Sequence, residues 1–441
     1  APSYGNPQIG LNPPAGYEAY FTFPSGADRV AWTTTGPTIN GRSSVKKYRN
    51  WGVGDQTPFS VPSNNVEPTP RFREVFLATE PRGAGHLSMA LLNSRMVLSY
   101  VQPSTLEVFW VEALNATPAS TADWSSHVIT TTTGTGGNAR VLITPGDGRP
   151  VLYVEGSSPR MLLTASTPSP RQASDWTRID LALSGSGFRA NTGRGCLRDD
   201  GRIVFAQLRT SVPGIYLAET TTLHPLSIAD VWRNQVLPEL GTLRRSVTFV
   251  DWSGSLMGIA DSGGGAAHSS IIWAPDAQTE DPAAWQLYDF LDLDQGPATE
   301  APLLSVRAGG LWLTRFEDVT FPFIVQYGSS LTPPKSEGDW FSETAVFLGG
   351  YPPLEDSISL TLDGRPLIVY RGTRAARGLR PYPYRGEQWQ HFFVLDDTST
   401  DRIVGDGGTA AVDGTRLYVA YRSGGGLHDG VVRILATDIT F

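Results

Sequence analysis

The sequence predicts an all-β chain: a seven-bladed β-propeller of four-stranded blades, closed by an N-terminal strand that completes the last blade. Three observations predict it. Six tryptophans, Trp124, Trp176, Trp232, Trp285, Trp340 and Trp389, follow one another at gaps of 52, 56, 53, 55 and 49 residues. A period near 50 with several short strands per period marks a propeller blade. Tight-turn strings recur between apolar runs at about residues 94, 148, 201, 254, 309, 364 and 414. A third apolar run, such as "RMLLTAST" or "GIYLAETT", follows each of these hairpins.

The strands follow from those landmarks in order. "LRDDGRIVFAQL" and "AVDGTRLYVAYR" carry Asp-Gly between β-rich runs, the usual hairpin signal because Gly accepts positive φ. The hairpin gives strands one and two, the next apolar run gives strand three, and the Trp-bearing segment gives strand four. Seven such units make seven blades. The last unit ends on its third strand, "VVRILATDITF", while "RFREVF" precedes the first hairpin. Residues 71–79 are therefore expected to supply the missing outer strand, which leaves no open edge in the ring.

The tryptophans read as scaffold. A large ring on each outer strand suits packing between neighbouring blades, and the preceding Asp or Ser can bond backbone at the turn. Residues 69–441 form the expected propeller. Residues 1–68 do not fit the period, yet Tyr17, Tyr20, Phe21, Phe23, Trp32, Tyr48 and Trp51 are too many aromatics for a plain linker. One or two short strands are expected in this arm, which lies across the propeller or reaches a protein partner.

Composition sets limits. The 441 residues carry a net charge of −8 with 18% charged residues, which does not provide the basic surface of a nucleic-acid groove. No run of about 18 apolar residues is present to span a membrane as a helix. Only Lys46, Lys47 and Lys335 are lysines among 35 basic residues, a bias that a high-GC genome accounts for first; the arginine fork also suits carboxylates and sugar acids. Cys196 is the single cysteine, so no intrachain disulfide can form. The chain opens on "APSYGNPQIG" with no signal peptide visible, as would a mature form after signal cleavage or a chain that lost only its initiator Met. An extracellular or particle-surface location is expected.

Chemistry is expected where loops enter the innermost strands and leave the second strands. The first set is His86, Asn138 with Arg140, Asn191 with Arg194, Arg244 with Arg245, Glu300, Glu355 with Asp356, and Asp406. The second is Gln102, Glu155, Arg209, Asp261, Glu317, Arg371 and Arg422. Arg140, Arg194, Arg371 and Arg422 are the ligand-binding candidates. A hydrolase would need two carboxylates across the scissile bond, for which Glu300 and Asp356 are placed. A lyase would need a base such as His86 beside a charge-neutralising Arg245.

The repeat length and strand order resemble those of sialidase-like and other carbohydrate-active propellers, including polysaccharide lyases and seven-bladed lectins, over roughly residues 70–441. The resemblance implies a carbohydrate ligand. Sialidase-type turns read Ser-x-Asp-x-Gly-x-x-Trp; here Asp stands directly before Trp at Asp123, Asp175 and Asp339. The Arg-Ile-Pro opening of that family is absent, so its arginine triad and tyrosine nucleophile have no numbered counterparts. No Gly-x-Ser-x-Gly elbow, His-Glu-x-x-His helix or phosphate loop occurs. The six histidines show no metal-ligand spacing, and Asp289, Asp292 and Asp294 read as a solvated loop. No cofactor or metal is expected. The sequence thus points first to a non-catalytic propeller that binds glycan or another surface polymer. A polysaccharide hydrolase or lyase is the alternative, and a structural subunit docked through residues 1–68 is the third reading.

Overall fold

The computed structural model describes residues 17–22, 29–34, 72–78, 87–102, 104–132, 140–144, 148–155, 160–181, 193–194, 196–198, 202–208, 215–222, 224–236, 244–262, 269–275, 278–279, 281–290, 303–307, 310–317, 323–329, 333–347, 358–362, 365–370, 374–378, 389–395, 408–423 and 431–439. The chain is all-β, its strands joined among these residues by turns and short 3-10 segments.

Strands β1 (Tyr17–Thr22) and β2 (Arg29–Thr34) form a two-stranded sheet by themselves, and β3 (Arg73–Leu77) follows. The first of seven larger sheets contains β4 (Ser88–Leu92), β5 (Arg95–Gln102), β6 (Glu107–Ala113) and β7 (Trp124–Thr131) in that order. The second contains β8 (Arg140–Thr144), β9 (Val151–Glu155), β10 (Arg160–Ala165) and β11 (Trp176–Leu181). Next along the chain comes the short β12 (Gly193–Arg194). The third sheet contains β13 (Cys196–Leu197), β14 (Ile203–Leu208), β15 (Ile215–Thr220) and β16 (Val231–Val236). In the fourth, β17 (Arg244–Trp252), β18 (Ser255–Ser262), β19 (Ser269–Pro275) and β20 (Gln286–Phe290) are joined by β12.

The fifth sheet contains β21 (Leu303–Arg307), β22 (Gly310–Glu317), β23 (Phe323–Ser329) and β24 (Phe341–Phe347). The sixth contains β25 (Ile358–Leu362), β26 (Arg365–Tyr370), β27 (Arg374–Gly378) and β28 (Trp389–Phe393). The seventh draws β29 (Thr409–Asp413), β30 (Arg416–Ser423) and β31 (Val431–Asp438) from the C-terminal end and takes β3 as its fourth strand. Arg73 is the register partner of Ala436, and Leu77 that of Arg433. An Arg433–Glu74 ion pair at 2.8 Å fastens the same two strands.

Period-two alternation explains how one sheet serves two neighbours. Met96, Leu98 and Tyr100 of β5 join a buried cluster with Tyr418, Ala420 and Ile434 of the seventh sheet and Val75 and Phe76 of β3. The intervening Val97 and Val101 join Leu152, Val154, Met161 and Leu163 of the second sheet. Further clusters link the second sheet to the third, the third to the fourth, the fourth to the fifth and the sixth to the seventh. First strands of neighbouring sheets adjoin, as β4 does β8 and β29, β17 does β13 and β21, and β25 does β21 and β29.

Trp124, Trp176, Trp285 and Trp340 lie in these seams. Trp124 packs on Phe76 of the seventh sheet, with ring centroids 5.6 Å apart. Trp176 meets Trp110 of the first sheet edge-on at 5.3 Å. Trp340 donates its indole N–H to the Tyr288 hydroxyl at 3.0 Å, one sheet earlier. The third sheet departs from the pattern: Val231, paired with Thr220, holds the place that Trp124 holds opposite Ala113. Trp232 follows it by one residue, opposite Glu219.

Candidate ligand-binding site

The charged strand ends singled out in the sequence fall on defined register positions. Arg140 opens β8 and is the partner of Glu155, which closes β9. Arg244 opens β17 opposite Ser262, and Ser246 lies opposite Asp261. The register shift between Arg244 and Ser246 leaves Arg245 at the irregularity, where a bulge redirects the chain. Glu317 closes β22 opposite Phe323.

One addition interrupts the four-strand repeat. Residues Gly193–Arg194 leave the third sheet and pair in parallel with β17, Arg194 opposite Thr248. That places Arg194 beside the strand that begins at Arg244 and Arg245, about 13 Å further along at roughly 3.3 Å per residue. Three arginines and Asp261 thereby belong to one region of the fourth sheet. Arginine on extended backbone can present its planar fork to carboxylate or sulfate groups.

In the seventh sheet, Arg422 near the end of β30 is 4% exposed and lies opposite Val432. In the adjoining first sheet, Gln102 closes β5, is also buried, and donates to the Ser104 hydroxyl at 3.3 Å. The turn that follows holds Leu106 at φ 60°. That is an uncommon conformation for a branched residue, secured by Leu106 N–H to Gln102 O and Thr132 N–H to Leu106 O, both 2.7 Å. His86, Glu300, Asp356 and Arg371 lie outside the described residues, as do Asn138, Asn191, Arg209, Glu355 and Asp406.

A second set of polar groups, missed in the sequence, occupies the seams between sheets. Glu112 of β6 is 3% exposed. It accepts from the Arg95 guanidinium at 3.1 Å, from the Trp110 indole at 3.3 Å and from the Ser169 hydroxyl of the second sheet. Arg171 stands 3.7 Å from the same carboxylate. Glu219 of β15 repeats the arrangement: it pairs with Arg198, with Arg202 at 3.1 Å, and accepts from Thr279 of the fourth sheet at 3.3 Å. Arg198 also stands 3.6 Å from Asp251 of β17. The signal was present in the chain: Arg95 and Glu112, like Arg202 and Glu219, are seventeen residues apart.

The turns before the outer strands form a third repeated unit. Asp123 accepts from the backbone N–H of Ala119 and Ser120, Asp175 from Arg171 and Gln172, Asp230 from Leu226 and Ser227, and Asp339 from Lys335 and Ser336. These backbone donors hold all four carboxyls below the ordinary aspartate range. Five residues before each Asp stands a buried proline, Pro118, Pro170, Pro225 or Pro334. Among the described residues no group of three His, Cys, Asp or Glu side chains could hold a metal ion. None of the helices there is long and apolar enough to cross a membrane.

No protein-family model and no curated protein matches the chain. Among solved structures it is similar to an α-L-arabinanase of Penicillium chrysogenum complexed with arabinobiose, at 9% identity over 84% of this chain and 99% of that one, TM-score 0.44. It is also similar to a polysaccharide lyase, at 10% identity over 86% and 96% of the two chains, TM-score 0.44. The NanB sialidase of Streptococcus pneumoniae shares 9% identity over 83% and 70%, TM-score 0.43.

Proposed function

We propose that residues 69–441 are a seven-bladed propeller that binds an acidic carbohydrate or similar surface polymer at the arginine-bearing ends of its inner strands, without turning it over. In this reading the seven sheets are the blades and β3 closes the ring. Its support is the order of the sheets along the chain, the adjoining first strands, and the β3–β31 pairing.

One observation carries the binding proposal: β12 breaks the repeat and brings Arg194 alongside the strand opened by Arg244 and Arg245. Repeated features serve the scaffold, whereas departures from a regular pattern concentrate at functional places. Opposed charges such as Arg140 and Glu155 would orient a polymer bearing both anionic and hydroxyl groups. The location is extracellular or on a particle surface, and residues 1–68 are an arm available to a protein partner.

Calorimetric titration with uronate-bearing and sulfated polysaccharides, beside neutral ones, tests this reading, with reaction products followed in parallel. Saturable binding of the acidic polymers, unchanged polymer length, and at least tenfold weaker binding after Arg194→Gln or Arg140→Gln are expected. Release of product that disappears in Glu300→Gln or His86→Gln would replace the binding reading with the hydrolase or lyase. Absence of binding to every polymer would end it.

A further inference from the structure

The seam between the first and second sheets contains a titratable group that serves neither the binding proposal nor the repeat. His127 lies on β7 opposite Trp110, and β7 packs against the turn Ala173–Asp175 of the second sheet. Neither imidazole nitrogen of His127 is accessible to solvent, and neither has a hydrogen-bond partner among the described residues. The residue as a whole is half-buried, but enclosed ring nitrogens without partners are uncommon and ask what keeps them there.

The charged groups acting on it come from every element around it: Glu112 from β6, Asp175 from the turn, and Arg171 from the segment before the turn. Glu112 is already engaged by Arg95, Arg171, Ser169 and Trp110. Asp175 is engaged by the N–H groups of Arg171 and Gln172. The carboxylates nearest the imidazole are therefore committed to holding the seam together. A proton arriving on His127 would find enclosed ring nitrogens, one nearby guanidinium, a carboxylate, Asp175, held by its own turn, and a second, Glu112, that can turn to it only by loosening its bonds to Ser169 and Arg171 across the seam.

We propose that His127 is a proton-operated catch on this seam: neutral, it stays packed between the first and second sheets; protonated, it leaves the seam and draws the Glu112–Ser169–Arg171 linkage apart. Burial is the largest influence on the ring and holds it below the ordinary imidazole value of 6.5; the attraction of Asp175 and Glu112 opposes this and Arg171 adds to it. The neutral form is thus the one the closed seam prefers. Its contribution is complete above pH 6.5 and declines as pH falls toward the lowered value of the closed state.

Hydrogen exchange on the full chain between pH 7.5 and 4.5, corrected for intrinsic exchange, tests the catch. The opening constant of residues 107–113, 124–131 and 166–176 is expected to rise by about tenfold per pH unit below 6.5 until the closed-state value is reached. The seam between the sixth and seventh sheets serves as the internal reference and should not share that rise. His127→Phe should flatten the dependence at the first seam alone. An equal rise in wild type and variant, or a rise common to all seams, would overturn the proposal. Should the variant fail to fold, an NMR titration of the wild-type His127 ring decides: a midpoint at or above 6.5 refutes the catch, and one below it, shared with the seam amides, supports it.

Discussion

Thr164 of the second sheet, wholly buried, donates its hydroxyl to the carbonyl of Pro225 at 2.9 Å, sixty-one residues on and in the segment that precedes the outer strand of the third sheet. The same third-strand position holds Glu112 one sheet earlier and Glu219 one sheet later. All three side chains reach forward to the segment before the next sheet's outer strand: Ser169, Pro225 and Thr279. Arg416 of the seventh sheet does so as well, donating to the Pro118 carbonyl of the first at 2.9 Å. Apolar packing brings the sheets together, and these bonds fix how far each can slide along its neighbour.

Thr164→Val removes the hydroxyl while keeping the shape, and leaves the buried Pro225 carbonyl without this donor. An unsatisfied buried group costs about 1–3 kcal/mol, so the urea midpoint should fall by that equivalent with the slope unchanged. Thr164→Ser should recover most of it. Full stability in the valine variant would show that the bond contributes nothing to the seam.

Glu112 and Glu219 should differ in cost although their networks look alike. The side chains of Arg198, Asp251 and Glu219 are 2–3% exposed, so Glu219→Gln leaves arginine charge buried and should destabilise by about 3–5 kcal/mol. Around Glu112 the partners Arg95 and Arg171 are 39% and 41% exposed. Water can solvate them when the carboxylate is lost, so Glu112→Gln should cost clearly less. Denaturation of the two variants side by side measures the difference; equal losses would contradict it.

Much of this order was legible because its causes are local. Turn residues place the hairpins: Asn93 and Ser94, like Ser253 and Gly254, have positive φ, as tight hairpin turns require. The missing outer strand of the last unit and the extra strand at Arg73 were visible as a mismatch in count, and β3 does pair with β31. What stayed hidden depends on contacts between units. In the third repeat the turn motif was masked because Val231 separates Asp230 from Trp232, although Asp230 accepts the same two backbone bonds as Asp123. Nothing in "NTGRGCLRDD" signals that Gly193–Arg194 pairs with the fourth sheet while Cys196–Leu197 stays in the third. Of the candidate site residues, Arg140, Arg194, Arg245 and Arg422 fall on described strands, and the acid and base candidates do not.

The aspartate turns give an acid signature distinct from that of His127. Asp123, Asp175, Asp230 and Asp339 have folded-state values below the ordinary 3.8, chiefly from backbone N–H donors. Their stabilisation is complete above that value and is lost as pH falls through the lowered ones. Between about pH 4 and 2 the melting temperature should therefore fall more steeply in wild type than in Asp175→Asn, which carries no titrating group at that turn. Parallel slopes below pH 4 would mean that the turn bonds do not distinguish the two protonation states.

The pairing of β3 gives the sharpest test of ring closure, because arm and strand are consecutive but predict opposite outcomes. Removing residues 1–68 takes away β1 and β2, which among the described residues pair only with each other, and should leave the melting temperature of the remainder nearly unchanged. Removing residues 1–78 takes away Val75, Phe76 and Ala78, all buried between the seventh and first sheets. It exposes the unpaired edge of β31, an invitation to aggregation, and removes Phe76 from against Trp124. Phe76→Ala in the full chain should cost about 3–5 kcal/mol, the usual range for a buried phenylalanine. The longer deletion should lose cooperative unfolding or become insoluble. If both deletions melt like the full chain, β3 is dispensable and the ring is not closed through it.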